Sequence, residues 1–514
     1  MRRRDLLAAT LGGTLAACKR EAPEPTRTNI LFVLSDDQSW LHTGIAGSKM
    51  VKTPGFDRLA REGTLFTNSY CSSPSCTPSR ASILTGRQMW QLEEMGVLYG
   101  TVPPKLPLFP HLLEDAGYHT GFTGKAWAPG NWKAAGQRRH PVGKEFNRRR
   151  IEERQPPGLS VYDYAANFED FLAARKPGAP FFFWFGSQEP HRIYDQGIGE
   201  RFGKKLDTAE LPAFLPDSKE VRGDILDYCA EIDYYDTHLE RMLKKLEEIG
   251  ELENTLIICT SDNGMPFPRA KANLYDHGTH MPLAIRWGKG AKAAQRTDAF
   301  VGHIDFAPTI LEAAGVPVPA GTTGKSLLPL LKGEKPEGRD CIYTAMERHT
   351  WCRPEGAGYP MRAIRTASHL YIRNFAPDRW PTGGPEFISS NKTTHGDVDG
   401  GPTKDFMVDP ANQRKFARQY QLAFGKRPAE ELYELASDPD QMKNVAADPK
   451  NKAVKAELWT KLEAYLKQTG DPRVEGKDPW QGYVYYEETG YGAKFNRSLS
   501  EEERTKAMRL RPIR

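Results

Sequence analysis

The chain has 514 residues, of which 39% are hydrophobic and 27% charged, and its formal net charge is +5. This length exceeds the usual size of a single hydrophobic core, so it predicts one large domain joined to a smaller one. The charge falls to +3 without residues 1–17, a balance too small to indicate nucleic acid as a partner.

The N-terminus predicts export from a bacterial cytoplasm. Residues 1–7 are basic at their start, and the apolar run that follows ends at Leu15, which is too short to cross a bilayer. Residues 1–17 are therefore predicted to be a signal peptide, whose paired arginines resemble a twin-arginine signal. Because Leu-Ala-Ala-Cys resembles a bacterial lipobox, we expect a lipid anchor on Cys18, a tether over residues 18–28, and a periplasmic or outer-membrane (cell-surface) lipoprotein. The alternative is an ordinary secretory signal in which Cys18 is incidental.

Residues 29–35 form a continuous apolar run that ends at two acidic residues. Such a run predicts a buried parallel strand covered on both faces. Asp36 and Asp37 then lie at the carboxyl end of the strand, where ligand sites gather in open α/β sheets. Two adjacent carboxylates repel each other, which favours a cation between them. Taken alone, the pair is more typical of a solvated turn.

A cysteine motif follows at residues 76–87, which read Cys-Thr-Pro-Ser-Arg-Ala-Ser-Ile-Leu-Thr-Gly-Arg. If a helix begins at Cys76, then Arg80 lies one turn later on the same side. The helix N-terminus would add its positive end to an anion site. A plain thiol near a helix N-terminus is the simpler alternative.

Three further predicted strands, over residues 118–122, 180–186 and 255–260, also end in polar residues. The residues that follow them are Lys125, His191, and the pair Asp262 and Asn263. Parallel strands place their carboxyl ends on one edge of a sheet, so these distant residues can converge. Three Asp and one Asn would offer hard oxygen ligands, which suit Ca²⁺ better than zinc or copper. Each residue alone is also compatible with an ordinary loop.

The order of strands and helices predicts an α/β fold. Up to residue 340 the two alternate, which indicates a mostly parallel sheet sandwiched by helices in a catalytic domain over residues 29–340. Beyond this point, residues 361–374 alternate like an antiparallel strand pair, and residues 453–466 have helical spacing. We therefore expect a smaller C-terminal α+β subdomain and tail over residues 341–514, containing an antiparallel sheet.

Together these motifs resemble those of the type I, formylglycine-dependent sulfatases of the alkaline phosphatase superfamily. The matching blocks fall in the family's order between residues 29 and 444: residues 35–37, 76–80, 124–125, 189–191, 261–264 and 431–439. Residues 262–268, 273–275, 278–279 and 359–362 are closer still to the heparan N-sulfatase, or sulfamidase, branch. The resemblance implies an alkaline-phosphatase-like fold.

The resemblance also implies a calcium-dependent site. Cys76 would be oxidised to formylglycine, a hydrated aldehyde, by a formylglycine-generating enzyme. The Ca²⁺ ligands would be Asp36, Asp37, residue 76, Asp262 and Asn263. The other catalytic groups would be Arg80, which orients the diol, and Lys125, His191 and Lys271, which surround the sulfate.

One departure from the family concerns Trp127, which stands where a His commonly follows the lysine by two residues. Either the base comes from elsewhere, with His277 and His280 as spare candidates, or a substrate ring stacks on Trp127. In the sulfamidase branch, a His-rich segment before the block at residues 359–362 contacts the sugar. Here that segment contains Glu347, Arg348 and His349, which are predicted to contact the substrate.

The sequence therefore predicts a sulfatase that removes O-sulfate or N-sulfate groups from a sulfated oligosaccharide. Within the same superfamily, a phosphodiesterase or phosphonate hydrolase is the alternative enzyme. An inactive glycan-binding protein, suggested only by Trp127, is the alternative from another class.

Overall fold

The computed structural model describes residues 27–153, 155–387, 389 and 393–486. The predicted signal peptide and the predicted anchor residue Cys18 lie outside these residues. Within them, no helix combines the length and the apolar character that a membrane-spanning segment needs.

Twelve strands of the described residues form two sheets. In chain order they are β1 (Asn29–Ser35), β2 (Thr64–Tyr70), β3 (His119–Gly124), β4 (Lys144–Glu145), β5 (Phe181–Gly186), β6 (Thr255–Ser261), β7 (His280–Trp287), β8 (Gln295–Gly302), β9 (Cys341–Met346), β10 (Met361–Thr366), β11 (His369–Asn374) and β12 (Glu430–Glu434). The first eight make one sheet in the order β4-β3-β5-β1-β6-β7-β2-β8, and the last four make the other in the order β12-β11-β10-β9.

The large sheet is mostly parallel, as predicted. The central strand β1 pairs in parallel with β5 and β6, and β3 pairs in parallel with β4 and β5. Strand β7 runs antiparallel to β6 and β2, while the edge strand β8 runs parallel to β2. Strand β8 is not predicted from its sequence, because its first half is polar and lacks the apolar run of a buried strand.

Helices cover both faces of this sheet. The helices of the chain are α1 (Pro54–Glu62), α2 (Cys76–Thr85), α3 (Phe109–Asp115), α4 (Tyr164–Ala174), α5 (Ile198–Arg201), α6 (Lys219–Glu248), α7 (Asp276–Thr279), α8 (Phe306–Ala313), α9 (Leu328–Leu331), α10 (Pro402–Val408), α11 (Pro410–Lys415), α12 (Ala417–Phe424) and α13 (Lys452–Gln468). Because successive strand side chains point to opposite faces, Phe32 packs with α2, α3 and α8, whereas Val33 packs with α1, α4 and α6. This two-sided burial explains the continuous apolar run of β1.

The small sheet is antiparallel, and its strands β10 and β11 confirm the pair predicted at residues 361–374. Leu458, Leu462 and Leu466 of α13 pack against Ile364 and Tyr371 of this sheet. Apolar residues of α10 and α12 join α6 in a separate cluster beside the large sheet. The described cysteines form no disulfide, so Cys341 and Cys352 are both free.

Candidate active site

Polar side chains from four strand ends meet at the carboxyl edge of the large sheet. Ser35 at the end of β1 pairs with Ser261 at the end of β6, so the aspartates that follow them are neighbours. The Asp262 carboxylate accepts a hydrogen bond from the backbone N–H of Asp37 (3.0 Å). The parallel pairing therefore brings together residues more than 200 positions apart in the sequence.

Cys76 is the first residue of α2 and is buried beside these carboxylates. Its Sγ lies 3.6 Å from Oδ1 of Asp36. Burial raises the pKa of the Cys76 thiol well above its ordinary value, and the nearby Lys125 and Lys271 offset this only in part. An unmodified Cys76 would therefore stay a protonated thiol, which is a poor nucleophile.

Arg80 lies one helical turn after Cys76 and is completely buried. Its Nε donates to Oδ2 of Asp262 (2.8 Å), and its Nη2 lies 3.6 Å from Oδ1 of Asp36. Its Nη1 donates to the carbonyl oxygens of Lys125 (3.0 Å) and Ala126 (2.8 Å). Arg80 thus ties α2 to the ends of β1, β3 and β6.

Two lysines place their ammonium groups on the two adjacent aspartates. Lys125 Nζ donates to Oδ2 of Asp36 (2.5 Å), and Lys271 Nζ donates to Oδ2 of Asp37 (2.7 Å). His191 Nε2 lies 3.8 Å from the same Asp37 oxygen, and its side chain is 35% exposed. The site therefore combines buried cations with one histidine that solvent can reach.

The adjacent aspartates differ in acidity because their cationic neighbours differ. Burial alone would raise the pKa of Asp36, but Lys125 and Arg80 outweigh burial and hold that pKa far below its ordinary value. At Asp37 burial prevails over Lys271 and His191 and raises the pKa to about 6. Asp37 is therefore the carboxylate that an additional cation would stabilise most.

Asp399 also belongs to this cluster, although it is not among the predicted site residues. Its Oδ2 lies 3.0 Å from Nζ of Lys271, the lysine that also holds Asp37. Asp399 follows no strand, so the rule of strand ends could not select it. The signal in the sequence is an acidic pair enclosed by glycines, Gly396-Asp397-Val398-Asp399-Gly400.

The donor set fits a hard divalent cation. Asp36, Cys76 and Asp262 are buried, and each places a ligand atom within 4.8 Å of the others; Asp37, His191 and Asp399 form a second such group. The Asn263 Nδ2 donates to Asp37 (2.6 Å), whereas its buried amide oxygen accepts no hydrogen bond from the residues that the structure describes. Buried oxygens are normally satisfied, so a cation would give this oxygen its partner.

Trp127 is buried beside Lys125 rather than exposed as a stacking platform. It lines a cleft of about 780 Å³ together with Lys125, and its indole N–H is buried without a hydrogen-bond partner among the described residues. Buried indole N–H groups usually find an acceptor. The missing acceptor makes this position a candidate contact for a bound ligand.

His277 and His280, the spare candidates, are both buried and have other partners. His277 Nε2 lies 3.1 Å from Oδ1 of Asp440. His280 Nε2 lies 2.8 Å from the carbonyl oxygen of Thr67, and its ring stacks between those of Trp40 and Tyr70. The structure does not bring either histidine into contact with the carboxylate cluster.

Of the three residues 347–349, one lies near the active site and the other two are buried away from it. His349 Nδ1 lies 2.8 Å from Oγ of Ser75, the residue before Cys76, and burial lowers the pKa of His349 to about 4. Arg348 is buried near the rings of Trp351 and Tyr485, and burial lowers its pKa to about 10. His349 is therefore the member of this segment that reaches the nucleophile loop.

Glu347 instead lies in a buried ion-pair network. Its carboxylate accepts hydrogen bonds from Arg362 (2.9 Å) and Arg473 (2.6 Å), and Arg362 also binds Asp471 (3.0 Å). The side chains of Glu347 and Arg362 are both fully buried. This network joins β10 to the segment after α13.

Replacing Glu347 with glutamine should destabilise the fold, because it leaves the fully buried guanidinium of Arg362 and the partly buried one of Arg473 short of negative charge. We expect the free energy of unfolding to fall by about 3 kcal/mol, measured by chemical denaturation. Glu337→Gln, an exposed position, is the control and should change stability little. A raised KM with unchanged stability would show instead that Glu347 contacts the substrate.

The fold is alkaline-phosphatase-like, and the site at its sheet edge is a buried carboxylate cluster that could hold a metal ion. The family model described as Sulfatase matches residues 28–316, which is more than half of the chain. A second model, described as N-sulphoglucosamine sulphohydrolase, C-terminal, matches residues 269–380. The chain belongs to the sulfatase family, and the second match fits the predicted sulfamidase-like branch.

Relatives and solved structures agree with this placement. An ulvan-active sulfatase from Formosa agariphila is 28% identical, over 87% of this chain and 81% of the relative. Human N-sulphoglucosamine sulphohydrolase is also 28% identical, over 88% of this chain and 92% of the relative. A protein solved in complex with its substrate D-glucosamine-2-N,6-O-disulfate superposes with a TM-score of 0.62 at 22% identity, over 88% of this chain and 100% of the other. The last likeness shows the shared fold.

Proposed function

We propose that this protein hydrolyses sulfate ester or N-sulfate groups of a sulfated glycan, using residue 76 as a formylglycine nucleophile and a bound Ca²⁺. One observation carries the proposal: Cys76 lies at the start of α2, buried with Asp36 and Asp262, with ligand atoms within 4.8 Å of one another. The enclosing cations Arg80 and Lys125 make the same point attractive to an anionic group. The relatives support sulfate as that group.

Asp36, Asp37, Asp262 and Asn263 would hold the Ca²⁺. Bound there, the ion would neutralise sulfate oxygens as negative charge develops on them. Lys125 and Arg80 keep Asp36 ionised for this purpose, since they hold its pKa low. Arg80 also fixes the orientation of Asp262 through its 2.8 Å hydrogen bond.

The proposed formylglycine would supply a hydrated aldehyde, with one hydroxyl to attack sulfur and a second to allow sulfate release. The buried, protonated thiol of unmodified Cys76 could not play this part. Maturation would require a formylglycine-generating enzyme as a partner. Such an enzyme would act before folding is complete, because Cys76 is 2% exposed in the folded chain.

Lys125, Lys271 and His191 would surround the sulfate. Interaction with Asp37 and Asp399 outweighs burial and raises the pKa of Lys271 well above its ordinary value, so Lys271 remains a cation that binds sulfate oxygens. His191 is the most exposed member of the set, with a side chain that is 35% exposed, so it can exchange protons with solvent. We assign protonation of the leaving oxygen or nitrogen to His191.

Comparing turnover of an aryl sulfate, an aryl phosphate diester and defined sulfated oligosaccharides tests the proposal. We expect hydrolysis of the sulfates, with the sulfated oligosaccharides preferred. Clear diester cleavage without turnover of any sulfate would identify a phosphodiesterase instead. Binding of the oligosaccharides without any turnover, by protein converted at residue 76, would identify an inactive glycan-binding protein.

Binding of Ca²⁺ should weaken in acid, because Asp37 must lose its proton to act as a ligand. The pKa of Asp37 is raised to about 6 in the ion-free protein. Affinity should therefore be constant above about pH 7 and fall about tenfold for each pH unit below 6. Isothermal titration calorimetry measures the Ca²⁺ affinity between pH 4.5 and 8, at intervals of about half a pH unit. Equal affinity at both ends of the range would contradict the assignment of Asp37.

We also propose that the protein is exported and anchored through a lipid on Cys18. The basic start of the chain, the short apolar run to Leu15 and the Leu-Ala-Ala-Cys sequence support this. Replacing Cys18 with serine should move the protein from the membrane fraction to the soluble fraction of the native host. If the unsubstituted protein is itself soluble, residues 1–17 act as an ordinary secretory signal.

A further inference from the structure

A strongly basic segment begins at the active site, and part of it lines the cleft beside it. Residues 125–150 contain eight Lys and Arg against a single acidic residue, Glu145, which gives a net charge of +7. The whole chain carries only +5, so the charge of this segment is offset elsewhere in the sequence. Of its eight cations, Lys125 and Lys133 line the cleft.

The hydrogen bonds of Asn147 keep this segment close to the catalytic lysine. Its Oδ1 accepts from the hydroxyl of Thr123 (2.9 Å) and from the backbone N–H of Gly124 (2.8 Å), the residue before Lys125. Strand β4 forms the outer edge of the sheet beside β3. The chain thus leaves the active site after β3, passes along the cleft, and returns beside its starting point.

Several of these cations are available to a ligand. Lys133 and Arg138 are exposed and form no ion pair within the described part of the chain. The Arg148 side chain is 91% exposed and makes one long ion pair, 3.7 Å from Asp170. Others are held more closely: Arg139 binds Asp115 (2.6 Å), and Arg149 lies 3.4 Å from Asp170. The exposed cations mark the part of the segment that an anion can neutralise.

The cleft also provides aromatic surface for a sugar ring. Trp132 and Tyr486 line it and are half-buried, and Lys133 Nζ lies 4.9 Å from the centre of the Trp132 ring. The unpartnered indole N–H of Trp127 belongs to the same lining. A volume of about 780 Å³ exceeds the needs of one sulfate group and lies in the range of sites for larger ligands. Glu145, also in the lining, would favour a hydroxyl-bearing part of the ligand.

We propose that residues 125–150 form an extended subsite that binds further anionic groups of the same sulfated oligosaccharide, beyond the sulfate that is removed. This inference rests on the proposed function, and it defines the substrate class as an oligosaccharide that bears several negative charges. The charge attracts the chain, Trp132 and Tyr486 contact a sugar ring, and Lys125 ends the cleft at the reacting sulfate. A monosaccharide with one sulfate would leave the subsite empty.

The test is a triple variant, Lys133→Gln/Arg138→Gln/Arg148→Gln, made in the Cys76→Ala background so that binding is measured without turnover. The probes are a fully sulfated heparin tetrasaccharide and the matching disaccharide, titrated by calorimetry at low and high NaCl. The matched control is Lys289→Gln/Lys292→Gln/Lys335→Gln, which removes three exposed lysines near β8, at the opposite edge of the sheet.

We expect the triple variant to bind the tetrasaccharide about tenfold more weakly, with a smaller effect on the disaccharide, and the control to match the parent. High salt should reduce the difference in tetrasaccharide affinity between the triple variant and the parent, because salt screens exposed charges. Equal tetrasaccharide affinity in the triple variant and its control would overturn the proposal. So would equally tight binding of a single-stranded oligonucleotide with the same charge, because the segment would then be a general polyanion surface. A failure of the proposed function would appear separately, as absence of sulfate turnover in the unsubstituted enzyme.

Discussion

Replacing Cys76 with alanine is expected to lower kcat for aryl sulfate hydrolysis by about 10⁴-fold or more, because it removes the nucleophile. The fold should persist, since Cys76 contributes a small buried side chain whose Sγ makes only a 3.6 Å contact with Asp36. Initial-rate kinetics with 4-nitrocatechol sulfate measure the loss, and circular dichroism checks the fold.

Cys71→Ala is the matched control for this prediction. Cys71 is also fully buried and lies five positions earlier, but its Sγ faces the carbonyl oxygen of Gly278 at 3.7 Å. The control variant should lose about 1 kcal/mol of stability and keep its turnover. Similar activity in the two variants would show that Cys76 is a structural cysteine.

Replacing Asp36 with asparagine is expected to lower kcat by about 10²–10³-fold and to weaken Ca²⁺ binding. Asparagine has nearly the same shape but removes the negative charge that Lys125 Nζ contacts at 2.5 Å and that lies 3.6 Å from Arg80. Lys125 and Arg80 would then lie near the Ca²⁺ without the negative charge that offsets their own. Calorimetry gives the Ca²⁺ affinity, and steady-state kinetics give kcat.

Asp236→Asn separates this effect from a general cost of altering a buried aspartate. Asp236 is equally buried, and it accepts hydrogen bonds from the backbone N–H groups of Gly55 (2.6 Å) and Phe56 (2.9 Å) at the start of α1. This control should lose stability but retain Ca²⁺ affinity. If Asp36→Asn also keeps its Ca²⁺ affinity, then Asp36 is not a ligand.

The carboxyl edge of the sheet could be predicted because three of its four contributing strands are buried and have the apolar sequence of a buried strand. Strands β1, β5 and β6 all carry this pattern, and the polar residues directly after them form the observed cluster. Parallel pairing then determines that their ends meet. The β10–β11 pair is predicted from an equally local signal, the alternation of residues 361–374, and the helix that begins at Cys76 meets the condition under which Arg80 lies one turn later.

Three features could not be predicted in this way. Asp399 comes from a loop, and only the tertiary fold places it 3.0 Å from Lys271. The role of Glu347 depends on Arg473, more than 120 positions away in the sequence. The polar edge strand β8 is stabilised by its pairing with β2 rather than by its own composition. In each case the decisive partner is distant in the sequence.

The basic segment at residues 125–150 shows an intermediate case. Its charge is visible in the sequence, yet the small net charge of the whole chain conceals it. Only the structure places Lys125, Trp127 and Lys133 in one cleft. The position of the charge, rather than its total, is what suggests a polyanionic substrate.

The central claim is that residue 76 is a formylglycine in the working enzyme. Mass spectrometry of the proteolytic peptide that contains residue 76, taken from protein purified from the native host, tests it most directly. We expect the mass of the aldehyde form and its reaction with a hydrazide probe. A fully active enzyme whose peptide carries only unmodified cysteine would contradict it.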